Sequence, residues 1–243
     1  MCCFSRSVQA VADTNIFARA AKEGRQFLVY SMTLRAKEDL AMILPLPTPK
    51  EDAVRFINLE KYEDFFKDMR AGFPAPASKD KGGRSLGLSN DKLKVVEVGS
   101  FEASFVPTVG DFSRLDERFR LPEGTWDKLP AYKNYGFAVF KLKEGEKRIH
   151  PMAFEFPRTN AKQLFFPTVH IHDGKVHETA AFDHALFCQF SGVENPKALK
   201  WRESPRPARM FMKVAKAQGI LDPDGHCYQM FIKGKRKNED IVV

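Results

Sequence analysis

Cysteine is scarce in this sequence, and its spacing argues against a disulfide framework. The four cysteines are the adjacent pair Cys2-Cys3 and the single residues Cys188 and Cys227, and no C-x-x-C motif occurs. This usage is typical of reduced thiols in a cytosolic protein. The N-terminal stretch has no apolar signal core, and no run approaches the roughly 18 apolar residues of a membrane-spanning helix. We therefore expect a cytoplasmic protein without a membrane partner.

Several signatures of common enzymes are also missing. The sequence has no glycine-rich phosphate loop, no G-x-S-x-G, no H-E-x-x-H and no kinase motif set, which argues against the usual nucleotide-dependent enzymes and serine hydrolases. Tryptophan and tyrosine are few, at two and five, whereas phenylalanine occurs 22 times. Because a phenyl ring carries no polar atom that needs a partner, this composition predicts an interior packed with phenylalanine.

The net charge of +8 is concentrated near the C-terminus. From Lys197 onward eleven Lys and Arg face five Asp and Glu, so six of the eight excess charges lie there. The patch of Lys233, Lys235, Arg236 and Lys237 could attract anionic surfaces without sequence preference. No aromatic-interleaved nucleic-acid motif accompanies it. The pattern favours a solvated basic tail over a nucleic-acid site.

Alternating apolar residues and turn signals predict a chain rich in strands. The patterns indicate hairpins at 15–20 with 26–35 and at 135–143 with 149–156, a strand at 40–44, a strand block at 93–106, and later strands at 182–190 and 226–233. Apolar residues at near-helical spacing predict a helix at 51–70, and shorter helices are expected at 111–119 and 205–218.

The order of these segments predicts an α+β fold, with antiparallel sheets built from hairpins and two or three helices on one face. We place a single α+β domain at 1–196. The segment 74–91, rich in Pro, Gly, Ser and Lys, would divide it into two lobes if it serves as a linker. Residues 197–243 form a basic C-terminal extension with a final strand.

Four of the six histidines lie within fifteen residues, at His170, His172, His177 and His184. Between the first three stands Asp173-Gly174, a dipeptide typical of a two-residue type I′ hairpin turn. In that register His170, His172 and His177 share one strand face, opposite an apolar face. Three imidazoles at cross-strand spacing can converge on one ion, so this pattern predicts a site for zinc or a similar divalent transition metal.

The metal prediction depends on the register of this hairpin. A three-residue loop with a bulge at Gly174 would move His177 to the other face and separate the three histidines. Lys175 shares the histidine face, and its charge would oppose a cation. The same residues are also compatible with an ordinary polar hairpin face or with a pH-sensitive contact surface.

The next strand adds His184, Asp183 and Cys188. His184 could be a fourth metal ligand or a general base, with Asp183 or Glu178 as a base or as the partner that orients a ligand. The alternative is a core face on which His184 is hydrogen-bonded and Cys188 is a buried thiol.

Cys2 is a second candidate catalytic residue. Removal of Met1 would place its thiol beside an α-amine able to act as its base. In that single feature the chain resembles N-terminal nucleophile amidohydrolases and glutamine amidotransferases. The resemblance covers only the first two residues, since Cys3 and Phe4 follow in place of the usual small residues.

Several stretches together resemble an uncharacterised group of bacterial proteins. They are MCCFS, DLAMILPLPTP, YGFAVFKLKEG, FFPTVHIHDGKVH and FDHALFC, within residues 1–190. The resemblance implies a bacterial origin and a shared fold, and it carries no known activity, so it supplies no catalytic residue.

The sequence alone leaves three functions open. The first is a protein whose histidine-held metal assists hydrolysis or oxidation of a small-molecule or peptide substrate. The second is a hydrolase with Cys2 as its nucleophile. The third is a non-enzymatic binding or scaffold protein, whose histidine face meets a partner.

Overall fold

The computed structural model describes residues 3–48, 54–74, 101–190 and 201–243. Strands dominate these residues. They are β1 Cys3–Phe4, β2 Ala10–Ala20, β3 Arg25–Ala36, β4 Leu40–Leu46, β5 Arg55–Asn58, β6 Glu102–Val106, β7 Gly136–Leu142, β8 Gly145–Pro157, β9 Phe165–Phe166, β10 Thr179–Gln189, β11 Arg202–Pro207, β12 His226–Lys237 and β13 Ile241–Val242.

Helical structure is sparse in the described ranges. A single α-helix, α1 Phe65–Ala71, occurs there. The remaining helical pieces are 3₁₀ turns at Glu60–Tyr62, Val109–Arg114, Glu117–Phe119, Trp126–Lys128, Pro130–Tyr132, Ala208–Met210 and Val214–Ala217. The predicted α+β class, with two or three helices on one face, is therefore wrong, because the protein is mostly β.

The predicted helix at 51–70 shows why the class was wrong. Its apolar residues do recur at helical spacing, but Arg55–Asn58 forms β5 at the edge of β8, and only the end of the segment is α-helical. Tertiary pairing with β8 overrides the local preference. Near 205–218, Pro205 and Pro207 lie in β11 and exclude a regular helix there.

Two large sheets carry the fold. The seven-stranded sheet has the order β11-β12-β10-β2-β3-β8-β5, and all its neighbours are antiparallel except β10 and β2, which are parallel. The four-stranded sheet, β1-β4-β7-β6, is antiparallel throughout. A small third sheet joins β13 to β9.

The predicted hairpin of β2 with β3 is confirmed, with Phe17 opposite Val29. The strands predicted at 40–44, 182–190 and 226–233 are also confirmed as β4, β10 and β12. The predicted hairpin of 135–143 with 149–156 is wrong. Both strands form, but β7 pairs with β4 and β6, whereas β8 pairs with β3 and β5, so the chain crosses from one sheet to the other between them.

The main core lies between the two large sheets, because alternate residues of β3 such as Leu28 and Tyr30 belong to one buried cluster with Met42 and Leu44 of β4. A second cluster covers the other face of the seven-stranded sheet, where Phe65 and Phe66 of α1 pack near Phe187. A third covers the outer face of the four-stranded sheet. The abundant phenylalanine is thus used in the interior.

The sequence assigns residues 197–243 to a basic extension, and the described part of this range, 201–243, supplies β11, β12 and β13. β12 pairs with β10 from Thr179 opposite Lys237 to Cys188 opposite Tyr228, and β11 pairs with β12. Much of the segment 74–91 falls outside the described residues, as does most of the strand block predicted at 93–106. In the described ranges, no helix has the length and apolar character needed to cross a bilayer.

Candidate functional site

The histidine segment does not form the predicted hairpin. Residues 167–178 contain one isolated bridge and no ladder. Gly174 has a φ of 76°, but Asp173 is not among the residues with positive φ, whereas a type I′ turn needs positive φ at both positions. The Asp173 carboxylate instead accepts a hydrogen bond from the Lys175 backbone N–H at 3.0 Å.

Side chains from the C-terminal segment take the place of a partner strand. The backbone N–H groups of Thr168 and Val169 donate to Asp240 Oδ1 at 2.7 and 3.1 Å. The N–H of His170 donates to Asn238 Oδ1 at 2.6 Å. Asn238 Nδ2 donates in return to the carbonyls of His170 and His177, each at 2.9 Å. These bonds satisfy the backbone, so the segment needs no hairpin.

The opposite side of the segment lies against the start of the chain. Ile171 forms a parallel bridge with Cys3, and its carbonyl accepts from the N–H of Phe4 at 3.0 Å. The carbonyl of His172 accepts from the N–H of Val8 at 3.1 Å. The histidine segment therefore runs between β1 and the C-terminal residues 238–240.

Three of the four histidines pack as a column of rings, the imidazole stack of His170, His172 and His184. The ring centroid of His170 lies 5.0 Å from that of His172 and 5.2 Å from that of His184, and both pairs are inclined by 22°. Phe182 contacts His170, and Phe4 contacts His172, with centroids 4.4 and 5.4 Å apart. Aromatic neighbours thus enclose the stack.

This arrangement does not support the predicted metal site at His170, His172, His177 and His184. A ligating nitrogen points at its ion in the plane of its ring, and nearly parallel stacked rings do not aim their nitrogens at one point. His177 instead contacts Asp173, with Nε2 and Oδ2 2.8 Å apart on the exposed surface. Among the described residues, no group of three or more His, Cys, Asp or Glu is placed to hold a metal ion.

Burial keeps the imidazole stack neutral. It lowers the pKa of His170 to about 2 and that of His172 to about 4, and it lowers the pKa of His184 further. The Nε2 atoms of all three rings are buried, without a hydrogen-bond partner among the described residues. His184 Nδ1 accepts from the Asp183 N–H at 3.2 Å. The stack therefore behaves as interior packing with polar atoms left unpaired.

The predicted catalytic residues are not brought together. Asp183 is exposed and lies 3.9 Å from Lys233 Nζ, whereas its neighbour His184 is buried, because successive side chains of β10 point to opposite faces. Cys2 lies outside the described residues, and the adjacent Cys3 is fully buried. Catalytic roles for Cys2, His184 and Asp183 stay predictions.

Asp240 and Asn238 organise this region, and sequence analysis missed both. Besides its two backbone bonds, the Asp240 carboxylate accepts from Tyr132 Oη at 2.7 Å. Burial raises the pKa of Asp240 to about 6, although these hydrogen bonds act in the opposite direction. About 70 residues separate the two side chains from the backbone they bind. No short-range pattern marks such a contact.

No protein-family model matches the chain. Among solved structures, the crystal structure of baculovirus P35 aligns over 96% of this chain and 96% of its own, with a TM-score of 0.50 and 12% identity. The fold is similar to that of P35. A structure of the caspase-8/P35 complex aligns over 95% of both chains, with a TM-score of 0.50 and 11% identity. At 12% and 11% identity, the similarity to P35 shows a shared fold and nothing further.

Proposed function

We propose that this protein binds and inhibits a protease of the caspase class. One observation carries the proposal: the chain matches P35 over nearly the whole length of both proteins, and a P35 chain that also matches was solved in complex with caspase-8. Of the functions left open by the sequence, a non-enzymatic binding protein fits this similarity best.

The histidine chemistry supports a binding role over a catalytic one. A general base needs a nitrogen within reach of substrate and a pKa near the working pH. His184 has its Nε2 buried, and its pKa is far below neutrality. His170 and His172 share both properties. The imidazole stack is therefore better suited to shaping the fold than to proton transfer.

The proposal is tested by titrating purified full-length protein into active caspase-8 and following hydrolysis of a fluorogenic peptide substrate. We expect residual activity to fall linearly to an end point near equal molar amounts, as for a tight inhibitor. A substrate peptide without the fluorogenic group, added at the same concentration as the protein, is the control. It lowers the measured rate only by competing for the active site. A heat-unfolded sample of the same chain separates inhibition by the fold from competition by an unfolded substrate.

Unchanged caspase activity at a large molar excess of folded protein would contradict the proposal. Equal inhibition by the folded and the heat-unfolded samples would also contradict it, because the fold would then contribute nothing. Intact mass spectrometry of the mixture shows in addition whether the chain is cleaved during the reaction.

A further inference from the structure

Strand β12 is paired along only part of one side. β11 pairs with it at Gln229, Tyr228 and His226, whereas β10 pairs with it as far as Lys237. Within the described ranges, residues 230–237 therefore have a partner strand on the β10 side alone. We call this stretch the basic edge. An unpaired edge presents backbone N–H and C=O groups that another strand can bind.

A groove of about 790 Å³ lies beside the basic edge. Its apolar lining includes Met230 and Ile232 of β12, Phe182 of β10, and Ile241 and Val242 of β13, and its charged lining is Arg236, Lys237, Glu239 and Asp240. Glu239 is paired with Lys237, and the Asp240 carboxylate accepts three hydrogen bonds. Phe231 and Val242 are 54% and 48% exposed, which is high for large apolar side chains. The groove thus combines apolar walls with a strand edge, the two features that extended peptides use when they add to a sheet.

The charge of the basic edge is strongly positive. Lys235 and Arg236 have no ion pair among the described residues, and Arg236 Nε donates only to the Lys233 carbonyl at 3.2 Å. Lys237 contacts Glu239 at 2.5 Å, and Lys233 lies 3.9 Å from Asp183. Two of the four cations are thus free to bind an anionic partner.

The spacing of the cations fits an extended chain. Lys233, Lys235 and Lys237 occupy alternate positions of β12, which recur about every 6.6–6.8 Å along a strand. A peptide in β conformation places its own alternate side chains at the same interval. Acidic residues at every second position would therefore meet successive lysines, on the strand face that also carries Phe231. The residues between them would point to the opposite face, where Met230 and Ile232 line the groove.

We propose that the groove between β12 and β13 binds an extended acidic peptide segment of a partner protein, which adds to the basic edge as a further strand. This inference does not depend on the proposed protease inhibition. The competing explanation is that the lysines only prevent edge-to-edge association, since charged residues commonly block exposed strands. Under that explanation an acidic peptide would gain nothing at this edge.

The test measures fluorescence anisotropy of a labelled peptide in which glutamate and threonine alternate around a central leucine, with purified full-length protein. The double variant Lys235→Glu with Arg236→Glu is compared with Lys128→Glu with Lys216→Glu. The control pair changes the net charge equally, at exposed residues outside the groove. Urea unfolding of each variant verifies that the fold is intact.

We expect the unsubstituted protein and the control variant to bind the peptide alike. The Lys235→Glu/Arg236→Glu variant should bind about ten-fold more weakly or less, since charge reversal turns attraction into repulsion. A peptide with proline in place of the threonines should also lose affinity, because proline cannot donate to the strand edge.

Three results would overturn the proposal. The first is the absence of saturable binding by the peptide. The second is an equal loss of affinity in both double variants, which would indicate a general charge effect. The third is tighter binding of a single-stranded oligonucleotide of equal charge with the same dependence on Lys235 and Arg236, which would assign the surface to nucleic acid.

Discussion

At the scale of single residues, Asn238 connects the histidine segment to the C-terminal end of the chain. Its amide makes three hydrogen bonds to the backbone of His170 and His177. The two bonds to His170 are partly buried, and the bond to His177 is exposed. Removing the side chain should cost more than one average hydrogen bond, because the His170 groups left behind stay partly desolvated.

We expect Asn238→Ala to lower the free energy of unfolding by about 2–3 kcal/mol, measured by urea denaturation. Asn160→Ala is the matched control, since Asn160 is exposed and its side-chain hydrogen bonds within the described residues go to its near neighbours Lys162 and Gln163. An equal effect of the two substitutions would contradict the role assigned to Asn238.

The imidazole stack predicts a pH dependence of stability. In the unfolded chain each histidine titrates near its ordinary pKa of about 6.5, whereas burial holds the folded pKa of His170 at about 2 and that of His172 at about 4. Below pH 6.5 the unfolded state therefore binds protons that the folded state does not. Stability should fall as the pH drops, by at most about 1.4 kcal/mol per histidine and pH unit.

Asp240 contributes a pH dependence of stability of the opposite sign. Its folded pKa of about 6 lies above the ordinary value of an aspartate, so acidification through pH 6 favours the folded state and offsets part of the loss. Urea unfolding at pH 7.5 and pH 5, in the unsubstituted protein and in His184→Leu, measures the net change in the free energy of unfolding on acidification. The loss on acidification should be smaller in His184→Leu. A stability independent of pH in the unsubstituted protein would contradict this account.

At the scale of elements, β10 is central to the fold because it lies between β2 and β12. Phe187 of this strand is fully buried and packs against Phe66 of α1, with ring centroids 6.0 Å apart. Phe187→Ala should therefore cost about 3–5 kcal/mol of stability, as for other large-to-small core changes.

Phe231→Ala is the matched comparison for that prediction, because Phe231 is the same residue type on the neighbouring strand and is largely exposed. We expect its stability to change by about 0.5 kcal/mol or less, as at other exposed sites. Thermal or urea unfolding of both variants measures the difference, and similar losses would contradict the packing described for β10.

Sequence patterns predicted individual strands better than their partners. The alternation along β2 and β3, with the turn at Gly24, was sufficient because the two strands are neighbours in both the chain and the sheet. β7 and β8 are neighbours in the chain only, and nothing local shows that they enter different sheets. The hairpin at Asp173-Gly174 failed because Asn238 and Asp240 satisfy the backbone that a partner strand would have paired.

The candidate site was predictable in its members but not in its geometry. His170, His172 and His184 do come together, as their density in the sequence suggested, but they stack rather than converge. The rings lie against Phe4 and Phe182, and the backbone of His170 is positioned by Asn238, which is distant in the chain. The spacing of the histidines along the sequence does not reveal such contacts. The metal prediction could therefore not be rejected from the sequence.

At the scale of the whole molecule, the arrangement of strands carries the functional proposal. Seven-stranded and four-stranded sheets enclose one core, and the chain aligns with P35 over 96% of both proteins at 12% identity. Shared folds host different functions, so inhibition of a caspase has to be tested on this chain itself.

Direct binding tests that central proposal most simply. Purified protein and active caspase-8 are mixed at equal molar amounts and separated by size-exclusion chromatography with in-line light scattering. We expect a new peak whose mass equals the sum of the partners and whose protease activity is lost. Two separate peaks at the masses of the free proteins, with caspase activity fully retained, would contradict the account.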